Sequence, residues 1–329
     1  MSGLSVKRGW VVGAVGAAVV AALALAGLSI QSLAILNVLT TAMIFIVLTQ
    51  AWNILGGYGG YLNLGTAAFY GIGAYTVSIL NHTFGWSPFL TAVLGGLAAV
   101  VGAMIIGIPS LRIRGVYFAI LTLILTFLVQ RLAFSVPFTR GALGIFLEPL
   151  DLDSRQLEQL FFFIFLGLAV VVTVVVRLIE GSRFGHALVA IREDEDAAGI
   201  LGVRTTRTKM YAFGLGAFFM GLVGALVAQR VTFIDPDAAF SMTNAINPVI
   251  MAIYGGAGTW QGPLIGAPLV ILLSELLRVT FGGTGIFGAT VPAEVARLVF
   301  GAILIGVALY ARRGIMGAIR PQGGSRRGV

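Results

Sequence analysis

Long apolar runs, separated by short polar segments, restrict the fold of this chain more than any other feature. Hydrophobic residues make up 58% of its 329 residues and charged residues only 10%, whereas soluble domains carry about 25% charged residues. So few charges cannot cover a surface that faces water, and a helix of about 20 apolar residues is long enough to cross a bilayer. The sequence therefore predicts an all-α fold, a polytopic membrane helix bundle.

The apolar runs predict about ten transmembrane spans in a single domain over residues 1–320, followed by a short disordered tail at 321–329. We expect the spans at residues 10–30, 33–55, 66–80, 88–108, 116–134, 158–179, 211–230, 246–256, 263–279 and 292–311. The first run is longer than the apolar core of a signal peptide, so we expect an uncleaved helix. The runs 66–80 and 246–256 are too short to cross alone, and each adjoins a Gly-rich helix break.

Basic and acidic residues segregate between alternate loops, and this segregation predicts the orientation of the chain. With the N-terminus inside, the inner segments hold 15 of the 21 Lys and Arg residues. These are Lys7, Arg8, Arg112, Arg114, Arg177, Arg183, Arg192, Arg204, Arg207, Lys209, Arg312, Arg313, Arg320, Arg326 and Arg327. The outer loops instead hold Glu148, Asp151, Asp153, Glu158, Asp235 and Asp237. We therefore expect both termini in the cytoplasm, and we attribute the net charge of +8 to these membrane anchors rather than to a nucleic-acid partner.

Two glycine-rich clusters, at residues 56–65 and 255–263, interrupt the apolar runs at the inner ends of spans. Each Gly costs a helix about 1 kcal/mol relative to Ala, so helix is not favoured through either cluster. Matched breaks in the two halves of a transporter indicate a translocation path, and ordinary turns at the membrane surface are the alternative. The residues that would border a substrate path are Gly57, Tyr58, Gly59, Gly60, Asn63, Gly65, Gly255, Gly256, Gly258 and Thr259.

Several charged residues lie near the predicted ends of spans. Glu275 and Arg278 are three residues apart, as are Glu294 and Arg297, so each pair can meet on one helix face. Charges within a membrane are costly and often functional, but near the end of a span we favour a structural ion pair. Arg131 and Arg230 are similarly interpreted as long side chains that reach the outer membrane boundary.

The polar segment 180–210 is predicted to be a cytoplasmic loop that contains helical pieces. Its acidic run suits a helix N-terminus. Asp196-Ala197-Ala198 followed by Gly202 predicts a short helix with a small-residue face and a glycine stop. Such a surface can fit a groove in a partner protein, and a solvated loop helix is the alternative.

The order acidic-Ala-Ala-x-x-x-Gly in this loop resembles the coupling-helix motif of ABC importer permeases, where the helix docks on the ATPase subunit. The resemblance implies an ATPase-coupling role for Arg192, Glu195, Asp196, Ala197, Ala198 and Gly202. Further blocks are similar to branched-chain amino acid permeases of the LivM type, and they follow in family order from about residue 35 to 312. The blocks are GYGGYLNLG at 57–65, AAFYGIGAY at 67–75, LRIRGVYFA at 111–119, SRFG at 182–185 and GGAGTWQGP at 255–263.

The resemblance implies a transmembrane permease subunit of an ABC importer that moves branched-chain amino acids, or related small organic solutes, into the cytoplasm. It also implies two ABC ATPase subunits, a second homologous permease subunit and a periplasmic solute-binding protein, in the cytoplasmic (inner) membrane of a bacterium. The chain departs from the family at Tyr61 and Asn63, where a Gln-like residue followed by Ser is usual, and at Arg140, where a small or amide residue is common.

We find no catalytic or nucleotide-binding motif in the sequence. A phosphate-binding loop requires Gly-x-x-x-x-Gly-Lys followed by Ser or Thr, but neither Lys7 nor Lys209 follows a Gly-rich loop. We therefore expect no enzyme activity, no metal site and no cofactor in this chain, with ATP bound by the partner subunits. Three alternatives stay open: a urea or short-amide ABC permease, a stand-alone ion-coupled secondary transporter, and a purely structural membrane subunit.

Overall fold

The computed structural model describes residues 18–281, together with residues 16, 301 and 315–316, and most of these residues are helical. The helices are α1 (Ala18–Ser29), α2 (Leu33–Asn53), α3 (Thr66–Phe84), α4 (Pro88–Ser110), α5 (Val116–Ser135), α6 (Ser154–Glu180), α7 (Arg183–Glu193), α8 (Glu195–Ile200), α9 (Thr205–Val231), α10 (Pro236–Ala239), α11 (Met242–Gly255) and α12 (Gly262–Phe281). Two short strands, β1 (Ile145–Phe146) and β2 (Phe233–Ile234), pair in an antiparallel manner. The predicted helical class is confirmed.

Six of the described helices are long and apolar enough to cross a bilayer. They are Leu33–Tyr58, Pro88–Ser110, Val116–Ser135, Ser154–Glu180, Thr205–Val231 and Gly262–Thr280. The two runs predicted to be too short belong to α3, which has 19 residues, and to α11, which has 14. Helix α1 covers part of the predicted span 10–30, whereas nearly all of 292–311 and the predicted tail at 321–329 lie outside the described residues. The full span count therefore stays a prediction.

Polar caps place the starts of two helices earlier than hydropathy predicts. Helix α6 begins at Ser154, because Asp153 accepts a hydrogen bond from the Arg155 N–H while the Gln156 side chain accepts one from the Asp153 N–H. This reciprocal arrangement is a capping box. At the start of α11, the Ser241 hydroxyl accepts from the backbone of the third helical residue. Polar capping residues lower the local hydropathy, so a hydropathy-based boundary falls too late.

The first glycine cluster is partly helical, contrary to the expectation that helix is interrupted throughout it. Helix α2 continues through a π-helical turn at Ile54–Tyr58, and the non-helical segment begins only at Gly59. The Trp52 ring occupies the space where a side chain on Gly56 would lie, and its indole N–H donates to the Asn63 carbonyl at 2.7 Å. Glycine therefore permits a wide helical turn against this ring before the chain leaves the helix.

Glycines let α9 approach α3 and α4 closely. A Cβ on Gly73 of α3 would overlap the carbonyl of Gly221 in α9, and a Cβ on Gly224 would overlap the carbonyl of Tyr70. Small residues at such positions bring helix backbones together in a bilayer. Helix α2 packs against α6, α9 and α12, and α12 also packs against α11. The α3–α4–α9 unit is therefore held by direct backbone contact.

Arg230 at the end of α9 forms a nearly buried ion pair, a contact that its interpretation as a side chain reaching the outer membrane boundary does not anticipate. Its guanidinium donates to both carboxylate oxygens of Glu158, at 2.8 and 3.1 Å, and the two side chains are only 12% and 14% exposed. These partners lie in different helices, so hydropathy cannot reveal their pairing. The ion pair between Glu275 and Arg278 is confirmed, at 2.8 Å, and 294–297 lies outside the described residues.

Candidate functional site

Two non-helical segments lie against each other at one end of the bundle. We call residues 59–65 the first break and residues 256–261, between α11 and α12, the second break. A Cβ on Gly57, in the π-helical turn that leads into the first break, would lie 2.5 Å from the backbone nitrogen of Gly258. Gly60 and Gly258 have φ angles of 74° and 79°, which glycine adopts far more readily than other residues. Glycine is thus required both for the contact and for the backbone path.

Asn53 and Gln50 form hydrogen bonds that hold the second break against α2, the helix that leads into the first break. The Asn53 amide donates to the Thr259 carbonyl at 2.9 Å and accepts from the Gly258 N–H at 2.8 Å. Gln50 donates to the Trp260 carbonyl at 2.8 Å, and both amide side chains are fully buried. Neither residue was predicted from the sequence, although two amides three residues apart in an apolar run already indicate one polar helix face.

Arg192, near the end of α7, contacts both breaks. Its guanidinium donates to the Gly57 carbonyl at 3.2 Å. A Cβ on Gly258 would lie 2.8 Å from one of its terminal nitrogens, and a Cβ on Gly60 would lie 3.2 Å from the Arg192 Cβ. This one side chain therefore joins the predicted coupling loop to both halves of the predicted path.

The other residues predicted to border a path make separate contacts. Tyr58 donates to Glu180 at 3.3 Å, and the Asn63 side chain accepts from the Gly65 N–H at 2.8 Å. A Cβ on Gly255 would overlap the backbone of α12. The structure thus brings together four of the predicted residues around Asn53 and Arg192, namely Gly57, Gly60, Gly258 and Thr259. Gly59 lies beside α7, and the Gly256 carbonyl accepts from the Thr259 hydroxyl. The remaining four, Tyr58, Asn63, Gly65 and Gly255, make separate contacts.

The predicted coupling loop contains two helices, α7 and α8, joined by the single residue Asp194. The Asp194 carboxylate accepts from the backbone N–H groups of Asp196 and Ala197, at 2.9 and 3.0 Å. An acidic residue at this position accepts hydrogen bonds from N–H groups that have no partner within the helix, and its negative charge interacts favourably with the helix dipole. Helix α8 ends just before Gly202, whose φ of 89° suits glycine. The short helix and its glycine stop are as the sequence predicts.

Glu195 of α8 belongs to a largely buried charge cluster, which we call the Glu195 cluster and which also contains Lys209, Tyr61 and Arg114. The Glu195 carboxylate lies 2.6 Å from Lys209 Nζ, and the two side chains are 10% and 3% exposed. Lys209 also donates to the Tyr61 hydroxyl at 2.9 Å and to the Leu111 carbonyl at 2.8 Å, and the Tyr61 hydroxyl in turn donates to Glu195. The cluster therefore ties α8 to α9, to the end of α4 and to the first break.

Arg114 covers the exposed side of the Glu195 cluster. Its Nε lies 3.1 Å from Glu195, and its terminal nitrogens donate to both carboxylate oxygens of Asp196 at 2.9 Å. Burial raises the pKa of Glu195, but the hydrogen bonds from Lys209 and Tyr61 lower it more, so this pKa lies below its usual range. The hydrogen bond from Arg114 likewise lowers the pKa of Asp196. Both carboxylates are therefore ionised at neutral pH.

The tip of α8 presents only part of the small-residue face that its sequence indicates. Ala198 is only 2% exposed, whereas Ile200 and Leu201 are 87% and 83% exposed. Ala197 and Gly202 are also exposed. The surface available to a partner is therefore an apolar tip flanked by small residues. The sequence indicates a helix here but not which of its faces turns inward.

Within the described part of the chain, the site is built from side-chain contacts and non-helical backbone rather than from reactive groups. No group of three or more His, Asp or Glu side chains among the described residues could hold a metal ion. The charges of the Glu195 cluster are paired with one another. Such an arrangement can pass a displacement of α8 to the two breaks.

Comparisons with known proteins match this chain to permease proteins of transport systems. The family described as "Branched-chain amino acid transport system / permease component" matches residues 34–308. The high-affinity branched-chain amino acid transport system permease protein LivM of Salmonella typhimurium is 31% identical over 313 residues, covering 87% of this chain and 71% of LivM. The corresponding LivH protein of Escherichia coli strain K12 is 31% identical over 144 residues, covering 44% of this chain and 42% of LivH. These relatives are permeases rather than enzymes, and no solved structure matches the chain.

Proposed function

The chain belongs to the family of permease components of branched-chain amino acid transport systems, and on this premise we propose that it is the transmembrane subunit of an ABC importer. Its solute is a branched-chain amino acid or a related small organic molecule, carried into the cytoplasm. Two ATPase subunits supply the energy, a second homologous permease completes the channel, and a periplasmic binding protein delivers the solute. Similarity to both LivM and LivH supports the second permease, because both names refer to one kind of transport system.

The observation that carries this proposal is the contact between the coupling loop and both breaks. Arg192 touches Gly57, Gly60 and Gly258, and the Glu195 carboxylate accepts from Tyr61 in the first break. A displacement of α8 therefore has a direct route to the segments proposed to border the path. A solvated loop helix, or an ordinary turn at the membrane surface, would not require these contacts.

The proposed mechanism is alternating access. ATP binding closes the two ATPase subunits and displaces α7 and α8, which changes the packing of the two breaks against each other. The central path then switches between an outward and an inward opening. The breaks suit this role because a few non-helical residues can absorb the φ and ψ changes of a hinge, whereas a regular helix resists them.

We place the chain in the cytoplasmic (inner) membrane of a bacterium, with both termini in the cytoplasm. The basic residues support this orientation because Arg114, Arg192 and Lys209 gather beside α7 and α8 at the end proposed to face inward. The pair formed by Glu158 and Arg230 would then lie at the outer end.

The tip of α8 is the proposed docking surface for an ATPase subunit. Ile200 and Leu201 project side chains that are more than four-fifths exposed, and contiguous apolar groups in such a position suit burial by a partner. Replacing both by Ser should lower recovery of the ATPase subunits at least about tenfold, because each buried aliphatic side chain contributes about 1.5–3 kcal/mol. Leu143→Ser is the matched control, since Leu143 is 82% exposed in the loop between α5 and α6. Equal recovery with both variants would contradict the docking surface.

Co-purification and reconstitution test the proposed function as a whole. The tagged chain is purified from its native membrane, the accompanying subunits are identified, and the complex is placed in liposomes with the binding protein. We expect two ATPase subunits, a second permease and ATP-dependent leucine uptake. Ligand screening of the binding protein separates a branched-chain amino acid from urea or a short amide. A chain that is purified alone and transports solute without ATP would instead establish the ion-coupled secondary transporter.

A further inference from the structure

The junction between α7 and α8 contacts the first break and its π-helical turn at two places. On one side of Asp194, Arg192 donates to the Gly57 carbonyl and lies over Gly60. On the other side, the Glu195 carboxylate accepts from Tyr61. Only two residues lie between Arg192 and Glu195, so one short piece of chain contacts both ends of the segment 57–61.

The contact at Gly60 depends on shape as well as on hydrogen bonding. Gly60 has a φ of 74°, and a Cβ there would lie 2.5 Å from Cγ of Arg192. The absence of a side chain therefore lets the aliphatic part of Arg192 lie directly on the backbone of the break. The guanidinium then reaches the Gly57 carbonyl at 3.2 Å.

The contact at Tyr61 uses charges that are nearly removed from water. Lys209 is 3% exposed, and it satisfies its three hydrogens with Glu195, Tyr61 and Leu111. Replacing a buried ion pair by apolar residues often does not reduce stability, and the best-attested use of such pairs is to fix one arrangement among several. Here the arrangement that is fixed is the position of α8 relative to the first break.

We propose that α7, α8 and residues 57–61 move as one rigid body, joined by the Arg192 contact and the Glu195 cluster, together with the ends of α4 and α9 that supply Leu111 and Lys209 to that cluster. A displacement of α8 is then passed to residues 57–61 in full, and through Arg192 and Gly57 to the second break at Gly258. This inference rests on the proposed function, because it concerns the movement that ATP would drive.

A disulfide across the Arg192 contact tests whether the two parts stay together. The chain contains no Cys, so Gly60→Cys/Arg192→Cys introduces the only possible bridge. The Cβ positions are 3.2 Å apart, close to the roughly 3.5–4.5 Å of a disulfide. Without Arg192, and with the strain of a side chain at a φ of 74°, the reduced complex should take up leucine at least about tenfold more slowly, because a charged hydrogen bond is lost. Oxidation should restore most of that uptake.

The opposite responses overturn the proposal. If oxidation stops the remaining uptake, the contact must open during the cycle. If oxidation changes nothing, the attachment is irrelevant to transport. The single variants Gly60→Cys and Arg192→Cys control for effects of the oxidant, and the wild-type complex, measured in parallel, tests the proposed function separately through its ATP-dependent uptake.

A second test removes a single hydroxyl group from the Glu195 cluster. Tyr61→Phe keeps the edge-on contact with Phe118 but loses the hydrogen bonds with Glu195 and Lys209. We expect ATP hydrolysis to continue while leucine uptake per ATP falls about tenfold. Tyr75→Phe is the matched control, because Tyr75 is equally buried, stacks on Phe240, and its hydroxyl has no partner among the described residues.

The ratio of uptake to hydrolysis separates transmission from stability. An unchanged ratio in Tyr61→Phe overturns the proposal. A parallel fall of hydrolysis and uptake also overturns it, because the hydroxyl would then only support the fold. A lower ratio in Tyr61→Phe together with a normal ratio in Tyr75→Phe is the result that supports one rigid body.

Discussion

Replacing Lys209 by Met is expected to destabilise the protein, although Lys209 lies in a predominantly apolar helix. Met preserves most of the packing of the lysine stem, but Glu195 loses its nearest cation and the Leu111 carbonyl loses its donor. Removing one partner of a buried ion pair typically costs about 3–5 kcal/mol. Arg114 remains 3.1 Å from Glu195 and offsets part of the charge. We therefore expect the free energy of unfolding to fall by about 3 kcal/mol.

Removing both charges should do less damage than removing one. In Lys209→Met/Glu195→Gln, no carboxylate is left without its cation, and the main remaining loss is the donor to the Leu111 carbonyl. An unsatisfied buried acceptor costs about 1–3 kcal/mol. We expect the double variant to lose about 1–2 kcal/mol, which is less than Lys209→Met alone.

Unfolding in detergent micelles, followed by tryptophan fluorescence, measures these differences, because Trp52 and Trp260 lie beside the two breaks. Arg278→Met is the control, since it removes the cation of an ion pair whose arginine is 70% exposed. Exposed pairs contribute about 0–1 kcal/mol. The reasoning is refuted if Lys209→Met costs no more than Arg278→Met, or if the double variant loses the sum of the two single losses.

Three further predictions use the same unfolding measurement. Gly221→Ala should lower the free energy of unfolding by about 1–3 kcal/mol, because the added Cβ would collide with Ala99 on α4. Gly167→Ala is the control: no atom lies near its added Cβ, so it should leave the free energy of unfolding unchanged or raise it by up to about 1 kcal/mol. Arg230→Met should lower the free energy of unfolding by about 3 kcal/mol, because the Glu158 carboxylate, which is only 14% exposed, loses its cation. A loss no larger than that of Arg278→Met would contradict a buried pair. Because the pKa of Glu195 is lowered on folding, its contribution is complete above the usual carboxyl pKa of about 4.3 and is lost as the pH falls below it. The stability gap between wild type and Glu195→Gln should accordingly narrow in acid, and a gap that widened would contradict the direction of the shift.

Hydropathy predicts where the helices of this chain lie because lipid requires apolar surface and internally satisfied backbone. Each predicted span within residues 33–279 corresponds to a helix of the structure. Hydropathy fails at the helix ends, where polar caps such as Asp153 extend α6 toward its N-terminus. It also fails at Gly56, where the Trp52 ring rather than local propensity determines the shape of the turn.

The candidate site could be predicted only in pieces. The two glycine clusters and the coupling loop are visible in the sequence, but their meeting depends on contacts between residues far apart. Asn53 and Gly258 are 205 positions apart, and Arg192 and Gly57 are 135 apart. The departure of Tyr61 from the family pattern was the one local signal of the Glu195 cluster, because a phenol can bridge Lys209 and Glu195 at once.

Glycine serves two physically different purposes in this chain, and the backbone angle distinguishes them. Gly73 and Gly221 lie inside regular helices, where a Cβ would collide with a neighbouring helix, so their role is spatial. Gly60 and Gly258 have positive φ and lie under Arg192, so their role is conformational. The first kind holds α3, α4 and α9 rigidly together, and the second leaves the breaks without a regular hydrogen-bond ladder. A transporter needs both properties, because displacement of a non-helical segment changes a path only if the surrounding helices keep their positions.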